Sequence, residues 1–326
     1  MQYAPFLRLV RDCRAVRFGV AWMAPAIAVL GLFAPRAIAT VSADSPDDRP
    51  HLLQGGADDY FDRAYDYFDR GSLRSAISYY DRVLSLDPSY AEAYNNRGNA
   101  HADLGDYARA ISDFTAALNY DHPDLGLIYY NRGNTYLEMG RYEAAIADFS
   151  DAIGRGGGRI TLAYYNRGNA NLALRRYNSA IDDFSQAIVR DAAYVQAYNN
   201  RGSARFYLEN YADALEDYTA AIDLEYASDR ASLTLRQAHY NRGNIYYQLG
   251  DYRRALADYS DALAVELLDA DSQQSADLFY RRALARMFLG ERDAALADLD
   301  RAIELYDIAG SVEWFQNAQN LRDRWQ

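Results

Sequence analysis

The string Tyr-Asn-Arg-Gly-Asn comes back along this chain at an almost constant interval. It stands complete or nearly so at Tyr94–Ala100 (YNNRGNA), Tyr129–Thr135 (YYNRGNT), Tyr164–Ala170 (YYNRGNA), Tyr198–Ala204 (YNNRGSA) and His239–Ile245 (HYNRGNI). Degenerate copies occupy Tyr60–Asp66 and Phe279–Ala285. The arginines mark the phase: Arg63, Arg97, Arg132, Arg167, Arg201, Arg242 and Arg282 are separated by 34, 35, 35, 34, 41 and 40 residues. A chain of 326 residues is long enough for two or three globular domains. A fixed period overrides that prior, because it signals one supersecondary unit stacked on copies of itself, with a continuous core along the stack.

Aligned on their arginines, the copies agree well beyond the string. A small residue follows each arginine: Ala64, Gly98, Gly133, Gly168, Gly202, Gly243 or Ala283. Thirteen residues after it comes alanine every time, from Ala76 to Ala295, and seventeen after it Tyr80, Phe114, Phe149, Phe184, Tyr218, Tyr259 or Leu299. With the residues at offsets 14, 20 and 21, these positions trace one face of an α-helix. The first half of each unit is helical too and closes at a turn such as Leu104-Gly105-Asp106, where glycine can take the left-handed conformation that ends a helix. No proline follows Pro123, so nothing breaks the later helices. The expected unit is helix, short turn, helix, and the fold class is all-α.

The pattern resembles the tetratricopeptide repeat family, whose motif runs W-x2-L-G-x2-Y, then A-x3-F, then P. Here it reads Tyr129-x2-Arg132-Gly133-x2-Tyr136, then Ala145-x3-Phe149; the unit ending at Pro88 carries the terminal proline and most others lack it. The resemblance implies an α-solenoid of about seven units over residues 57–310, wound as a right-handed superhelix with a concave groove. Two departures stand out. The last two spacings exceed 34 by 7 and 6 residues, which predicts longer second helices or a projecting loop around Glu225–Arg236 and Val265–Ser275. The second departure is the arginine itself, which stands where the family has leucine.

That arginine has a matched acid. Sixteen residues on lie Asp113, Asp148, Asp183, Asp217, Asp258 and Asp298, with Tyr79 in the first unit. The co-occurrence predicts a ladder of bidentate ion pairs, within units or between neighbours.

The ends read differently. Arg8, Arg11, Arg14 and Arg17 precede the uncharged stretch Phe18–Ala34, and small residues at Ala37, Ala39, Val41 and Ala43 follow. Residues 1–43 are therefore expected to be an export signal, with an uncleaved anchor through residues 18–34 as the alternative. Residues 44–56 form a linker, and residues 311–326 a capping helix with Trp314, Ala318, Leu321 and Trp325 on one face. Cleavage would remove Cys13, the single cysteine, and take the net charge from −12 to −16 as five arginines leave with Asp12. An acidic surface argues against nucleic acid and anionic lipid.

Chemistry is sparse. The chain has no lysine, so Gly154–Gly158 cannot be a phosphate loop and no Schiff base can form. His51, His101, His122 and His239 stand in no metal motif, and His101 takes a packing position held elsewhere by Tyr136 and Tyr246. Asp269-Ala270-Asp271 lacks the rest of a calcium loop. The acids recur with the repeat instead of forming one asymmetric cluster, so no enzyme, no cofactor and no metal site is expected.

The family resemblance places the ligand groove on the first helix of each unit, two residues either side of the arginine. There the sequence puts Asn95, Tyr130, Tyr165, Asn199 and Tyr240 on one side and Asn99, Asn134, Asn169 and Asn244 on the other. Asparagine offers donor and acceptor to an extended peptide backbone, and tyrosine adds contact area with little entropy to lose. The groove positions hold no arginine, so a clamp on a terminal carboxylate, as in the chaperone-tail-binding members, is not expected. The sequence thus points to an exported, periplasmic protein- or peptide-binding scaffold that assists assembly of a cell-envelope complex. The alternatives are a self-associating structural solenoid or a regulatory subunit of an enzyme supplied by a partner.

Overall fold

Each copy of the string opens a pair of helices. The computed structural model describes residues 55–157, 159–228, 232–265 and 272–326; the expected leader and the linker up to residue 54 lie outside the described residues, as does the Asp269–Asp271 segment. Four pairs make one compact unit, residues 55–191: α1 (Ala57–Asp69) with α2 (Leu73–Leu86), α3 (Ala91–Asp103) with α4 (Tyr107–Ala117), α5 (Leu125–Glu138) with α6 (Tyr142–Arg155), and α7 (Ile160–Ala173) with α8 (Tyr177–Arg190). Residues 192–326 make the other: α9 (Val195–Tyr207) with α10 (Tyr211–Ser228), α11 (Leu233–Gln248) with α12 (Tyr252–Ala264), α13 (Ser272–Phe288) with α14 (Arg292–Ile308), and the single α15 (Val312–Trp325). Within each unit a helix packs on its partner and on the next helix in sequence, which is the stacking of a solenoid. The described residues contain no strand, and no described helix is long and apolar enough to cross a membrane.

The turn between paired helices explains one glycine. Gly105 sits at φ +78°, and the amide N–H of Asp106 reaches back to the His101 carbonyl across it. The fourth and fifth pairs place Arg175 and Glu209 in this same left-handed conformation, at φ 58° and 59°. A side chain there is strained by about 1 kcal/mol relative to glycine. Glu209→Gly is accordingly expected to raise thermal stability slightly, read as an upward shift of the melting temperature; an unchanged or lower value would show that the side chain's contacts outweigh the strain.

The repeated small residues set how closely paired helices approach. A methyl group built on Gly168 would lie 2.7 Å from Cε1 of Phe184, and one on Gly98 2.8 Å from Cε1 of Phe114. Gly133, Gly202 and Gly243 meet Phe149, Tyr218 and Tyr259 in the same way. Phe114, Phe149 and Phe184 are fully buried, as are the repeat alanines Ala110, Ala145 and Ala180 beside them. The glycine thus opens a slot on the first helix that the aromatic ring of the second fills.

The predicted arginine–aspartate ladder forms in all six pairs that carry both residues. It runs within pairs, from first helix to second. Arg97, Arg132, Arg167, Arg201, Arg242 and Arg282 donate from Nε and Nη2 to Asp113, Asp148, Asp183, Asp217, Asp258 and Asp298, with Nη2···Oδ1 distances of 2.6–2.8 Å. The carboxylates are only 3–8 % exposed and the guanidiniums 15–23 %. Burial is the largest influence on Asp217 and pushes its carboxyl up, even with the Arg201 and Arg205 guanidiniums beside it. That is the expected signature of a pair whose desolvation offsets most of its attraction.

Two further supports were not expected from the sequence. The third guanidinium nitrogen, Nη1, reaches a polar side chain of the preceding pair: Arg97 to Asp81, Arg132 to Thr115, Arg167 to Ser150 and Arg242 to Thr219, at 2.6–3.1 Å. The aspartate also gains a partner one turn along the first helix. Asn171 donates to Asp183 at 2.9 Å, and Arg205 and Arg286 donate to Asp217 and Asp298 at 2.8 Å. His101, read from sequence as packing, holds the corresponding place and brings Nε2 to 4.0 Å from Asp113. Burial pulls its imidazole below the ordinary histidine range, so it stays neutral there.

The two insertions are accommodated differently. The first does lengthen a second helix: α10 has 18 residues, and the Ser232 hydroxyl fixes its exit by accepting from the Leu235 N–H and donating to the buried Glu225. The second leaves α12 at 13 residues, no longer than its counterparts. The following first helix, α13, has 17 residues; residues 266–271, inside the span where the alternative loop was expected, lie outside the described residues. In α15, Ala318, Leu321 and Trp325 are buried against the last pair, and Trp314 lies across Tyr280 and Tyr306. Arg292 at the start of α14 donates to the carbonyls of Trp325 and Gln326 and ties the end of that cap down.

Candidate functional site

The face under test is the row of residues flanking each repeat arginine on α3, α5, α7, α9 and α11. Within each pair, the glycine slot and the ion pair set the first helix against the second. Of the nine residues expected to meet a ligand, Asn95, Tyr130, Tyr165, Asn169 and Asn199 are buried, at 2–9 % exposure. Asn99, Asn134, Tyr240 and Asn244 are half-buried.

The tyrosines of this row lie over the rings that fill the glycine slots. Tyr130, Tyr165 and Tyr240 sit 5.8–6.2 Å, centroid to centroid, from Phe149, Phe184 and Tyr259. The asparagines join successive pairs. Asn131 Nδ2 donates to Asn95 Oδ1 at 3.0 Å, Asn166 Nδ2 to Asn134 Oδ1 at 2.7 Å, and Asn241 Nδ2 to Asn199 Oδ1 at 3.3 Å. Asn95 and Asn199 also donate to their neighbours Asn96 and Asn200, so both ends of those two amides are engaged. Asn244 Oδ1 accepts from the Tyr259 hydroxyl at 2.8 Å. The residue immediately before each arginine, Asn131, Asn166 or Asn241, is the donor in each inter-pair bond. The sequence reading passed over it, although its recurrence in the string was the available signal.

Beneath this row the repeat arginines stack on the first residue of the string. The guanidinium carbons of Arg97, Arg132, Arg167 and Arg201 lie 5.4–5.5 Å from the ring centroids of Tyr94, Tyr129, Tyr164 and Tyr198, and Arg282 lies 5.2 Å from Phe279. These cations are spent on carboxylates and rings.

The sixth pair differs. His239 replaces the stacking tyrosine and is 2 % exposed. Its Nδ1 lies 3.0 Å from Asp258 Oδ1 and its Nε2 3.0 Å from the Tyr226 hydroxyl. His239, Asp258 and Asp261 each bring a ligand-capable atom within 4.8 Å of the other two. This is an asymmetric cluster of the kind the sequence reading did not find. The signals were present: a histidine opening HYNRGNI and the 41-residue spacing before it.

The comparisons with known proteins bear on the repeat directly. Tetratricopeptide repeat profiles match residues 61–124, 130–195, 195–227, 237–266 and 276–307, together well over half of the chain. The chain belongs to the tetratricopeptide repeat family. Among curated proteins, a tetratricopeptide repeat and J domain-containing co-chaperone, DNJ1 of Fusarium oxysporum f. sp. lycopersici, is 31 % identical over 93 residues, covering 28 % of this chain and 18 % of that protein. The chain thus spans less than a fifth of that relative's length. Among solved structures, a tetratricopeptide repeat protein from Parabacteroides merdae aligns with TM-score 0.57 and 21 % identity over 81 % of this chain and 98 % of its own. The C-terminal part of a TPR repeat-containing protein from Cytophaga hutchinsonii aligns with TM-score 0.61 and 16 % identity over 75 % and 95 %. These likenesses establish the tetratricopeptide repeat (TPR) fold, and the TPR array is a protein-interaction scaffold.

Proposed function

We propose that this TPR protein is an exported, non-catalytic adaptor that binds a protein or extended peptide on its first-helix face and assists assembly of a cell-envelope complex. The observation that carries the reading is the recurrence of amide and phenol groups at one register on successive first helices. Peptide backbones present donors and acceptors at regular intervals, and such a row can meet them one pair at a time. Of the candidates, Asn99 on α3 and Asn134 on α5 keep part of their surface open, although the Asn134 oxygen accepts from Asn166, whereas Asn95 and Asn199 are buried with both ends of their amides engaged. The half-buried pair is therefore the part of the row best suited to a ligand in residues 55–191. The envelope setting rests on the basic and apolar leader at residues 1–43. The acidic net charge favours a neutral or basic partner over nucleic acid.

The test uses the full chain as bait. Affinity capture from a cell-envelope fraction identifies partners, and the bound segment of the leading partner is then titrated as a labelled peptide. Asn99→Ala with Asn134→Ala is expected to weaken that peptide roughly tenfold, about 1.4 kcal/mol. Equal affinity for the double variant would remove the first-helix face from the reading. Amino-terminal sequencing of the periplasmic protein is expected to begin after Ala39 or Ala43; an intact Met1 in the cytoplasm would contradict export.

A further inference from the structure

Two departures from the repeat meet at the sixth helix pair. Histidine stands at position 239, where the flanking pairs have Tyr198 and Phe279. The first insertion extends α10 to Ser228 and so brings Tyr226 over the imidazole, with the rings 5.9 Å apart. Asp261, exposed on α12, lies beside the buried Asp258 and His239. Nothing in the adaptor function requires this cluster.

We propose that His239, Asp258 and Asp261 form a binding site for one divalent metal ion of the zinc class. Each residue already places a ligand-capable atom within 4.8 Å of the other two, close enough for one ion to be shared. Imidazole combined with carboxylate suits zinc and its neighbours, whereas magnesium and calcium favour all-oxygen sites. The protonation pattern is also set. Asp258 accepts two bonds from Arg242 and, as a carboxylate, can only accept from the ring. His239 Nδ1 is therefore the donor, and the lone pair lies on Nε2. An ion shared by all three residues takes the place of the proton between Nδ1 and Asp258, and the ring proton moves to Nε2. At present Nε2 accepts from the Tyr226 phenol at 3.0 Å; with the ion bound, Nε2–H donates to the same phenol oxygen. With a neutral imidazole, two carboxylates and the Arg242 guanidinium, the cluster carries one net negative charge, which a cation offsets. Bound there, the ion would connect α11 to α12 beneath the extended end of α10.

The experiment titrates Zn2+ into the full, untagged chain at pH 7.5 by calorimetry. His239→Tyr restores the residue of the other pairs and keeps an aromatic ring in place. Asp261→Asn changes an exposed side chain only. Asp151→Asn, at the matching position of the third pair, is the control. The wild type and Asp151→Asn are expected to bind one zinc ion in this class, and the other two variants to bind it at least about tenfold more weakly. Zinc should also raise the melting temperature of the wild type but not of His239→Tyr, with circular dichroism confirming that both metal-free proteins are equally helical. A wild type that takes up no more zinc than His239→Tyr, or undiminished binding by Asp261→Asn, would overturn the site.

Discussion

Arg167→Leu and Asp183→Leu are each expected to lower stability by about 3–5 kcal/mol, and the double variant by much less than the sum. Either single change leaves a charge without its partner in the interior of the fourth pair. In Asp183→Leu the guanidinium keeps only its 2.9 Å bond to Ser150, and Asn171 loses its acceptor as well. In Arg167→Leu the carboxylate, 5 % exposed, retains Asn171 but no cation. Leucine at both positions removes both desolvated charges together and returns the first-helix residue to the family's leucine. The coupling read from denaturant unfolding of the four proteins should therefore be large and favourable to the pair. Simple addition of the two losses would mean that arginine and aspartate act separately.

Phe184→Ala should cost a similar amount, about 3–5 kcal/mol, for a different reason. Phe184 is fully buried, and its ring fills the slot over Gly168, so truncation leaves a cavity between two helix backbones. The same geometry reverses a familiar effect. Alanine ordinarily stabilises a helix by about 1 kcal/mol relative to glycine. Gly168→Ala should instead destabilise, because its methyl group would stand 2.7 Å from Cε1 of a ring with no space to retreat. Adding Phe184→Leu to Gly168→Ala should recover part of that loss, as it recreates the Ala283 and Leu299 combination of the seventh pair, where both residues are fully buried. A stabilising Gly168→Ala, or no recovery by the leucine, would show that the slot is looser than these distances imply.

Most of the architecture was legible because the chain carries its own alignment. Seven copies in phase reveal which positions are always small, always alanine or aromatic in six copies of seven, and those are the positions that decide helix packing. The arginine–aspartate pairs were legible on the same ground, as a constant offset of 16 residues. What the offset could not show was where the remaining donors go. The Nη1 contacts with Thr115, Ser150 and Thr219 depend on how one pair is stacked on the next, which no single unit encodes. The residue supporting each aspartate from the first helix changes between His101, Asn171, Arg205 and Arg286, so shared reach, with no shared side-chain type, hides it from a pattern search.

The candidate site was legible in position more than in role. The row of asparagines and tyrosines lies on the expected helices, yet Asn95 and Asn199 are committed to their neighbours, and three of the tyrosines cover the core rings. Whether a groove residue meets a ligand or the next repeat turns on a fraction of a helix rotation, which periodicity does not resolve. The His239 cluster escaped for the opposite reason. It joins two exceptions to the repeat, His239 and the extended α10, to the ladder aspartate, and an alignment of copies weighs exceptions lightly.

The central claim is that each helix pair from the second to the seventh is a unit locked by its own arginine and aspartate. Amide hydrogen exchange on Arg167→Leu, followed helix by helix, tests it most directly. The account predicts faster exchange in α7 and α8, a smaller change in the adjoining α6, and unchanged protection in α1 through α4. Uniform loss of protection across α1 to α8, or none in α7 and α8, would contradict it.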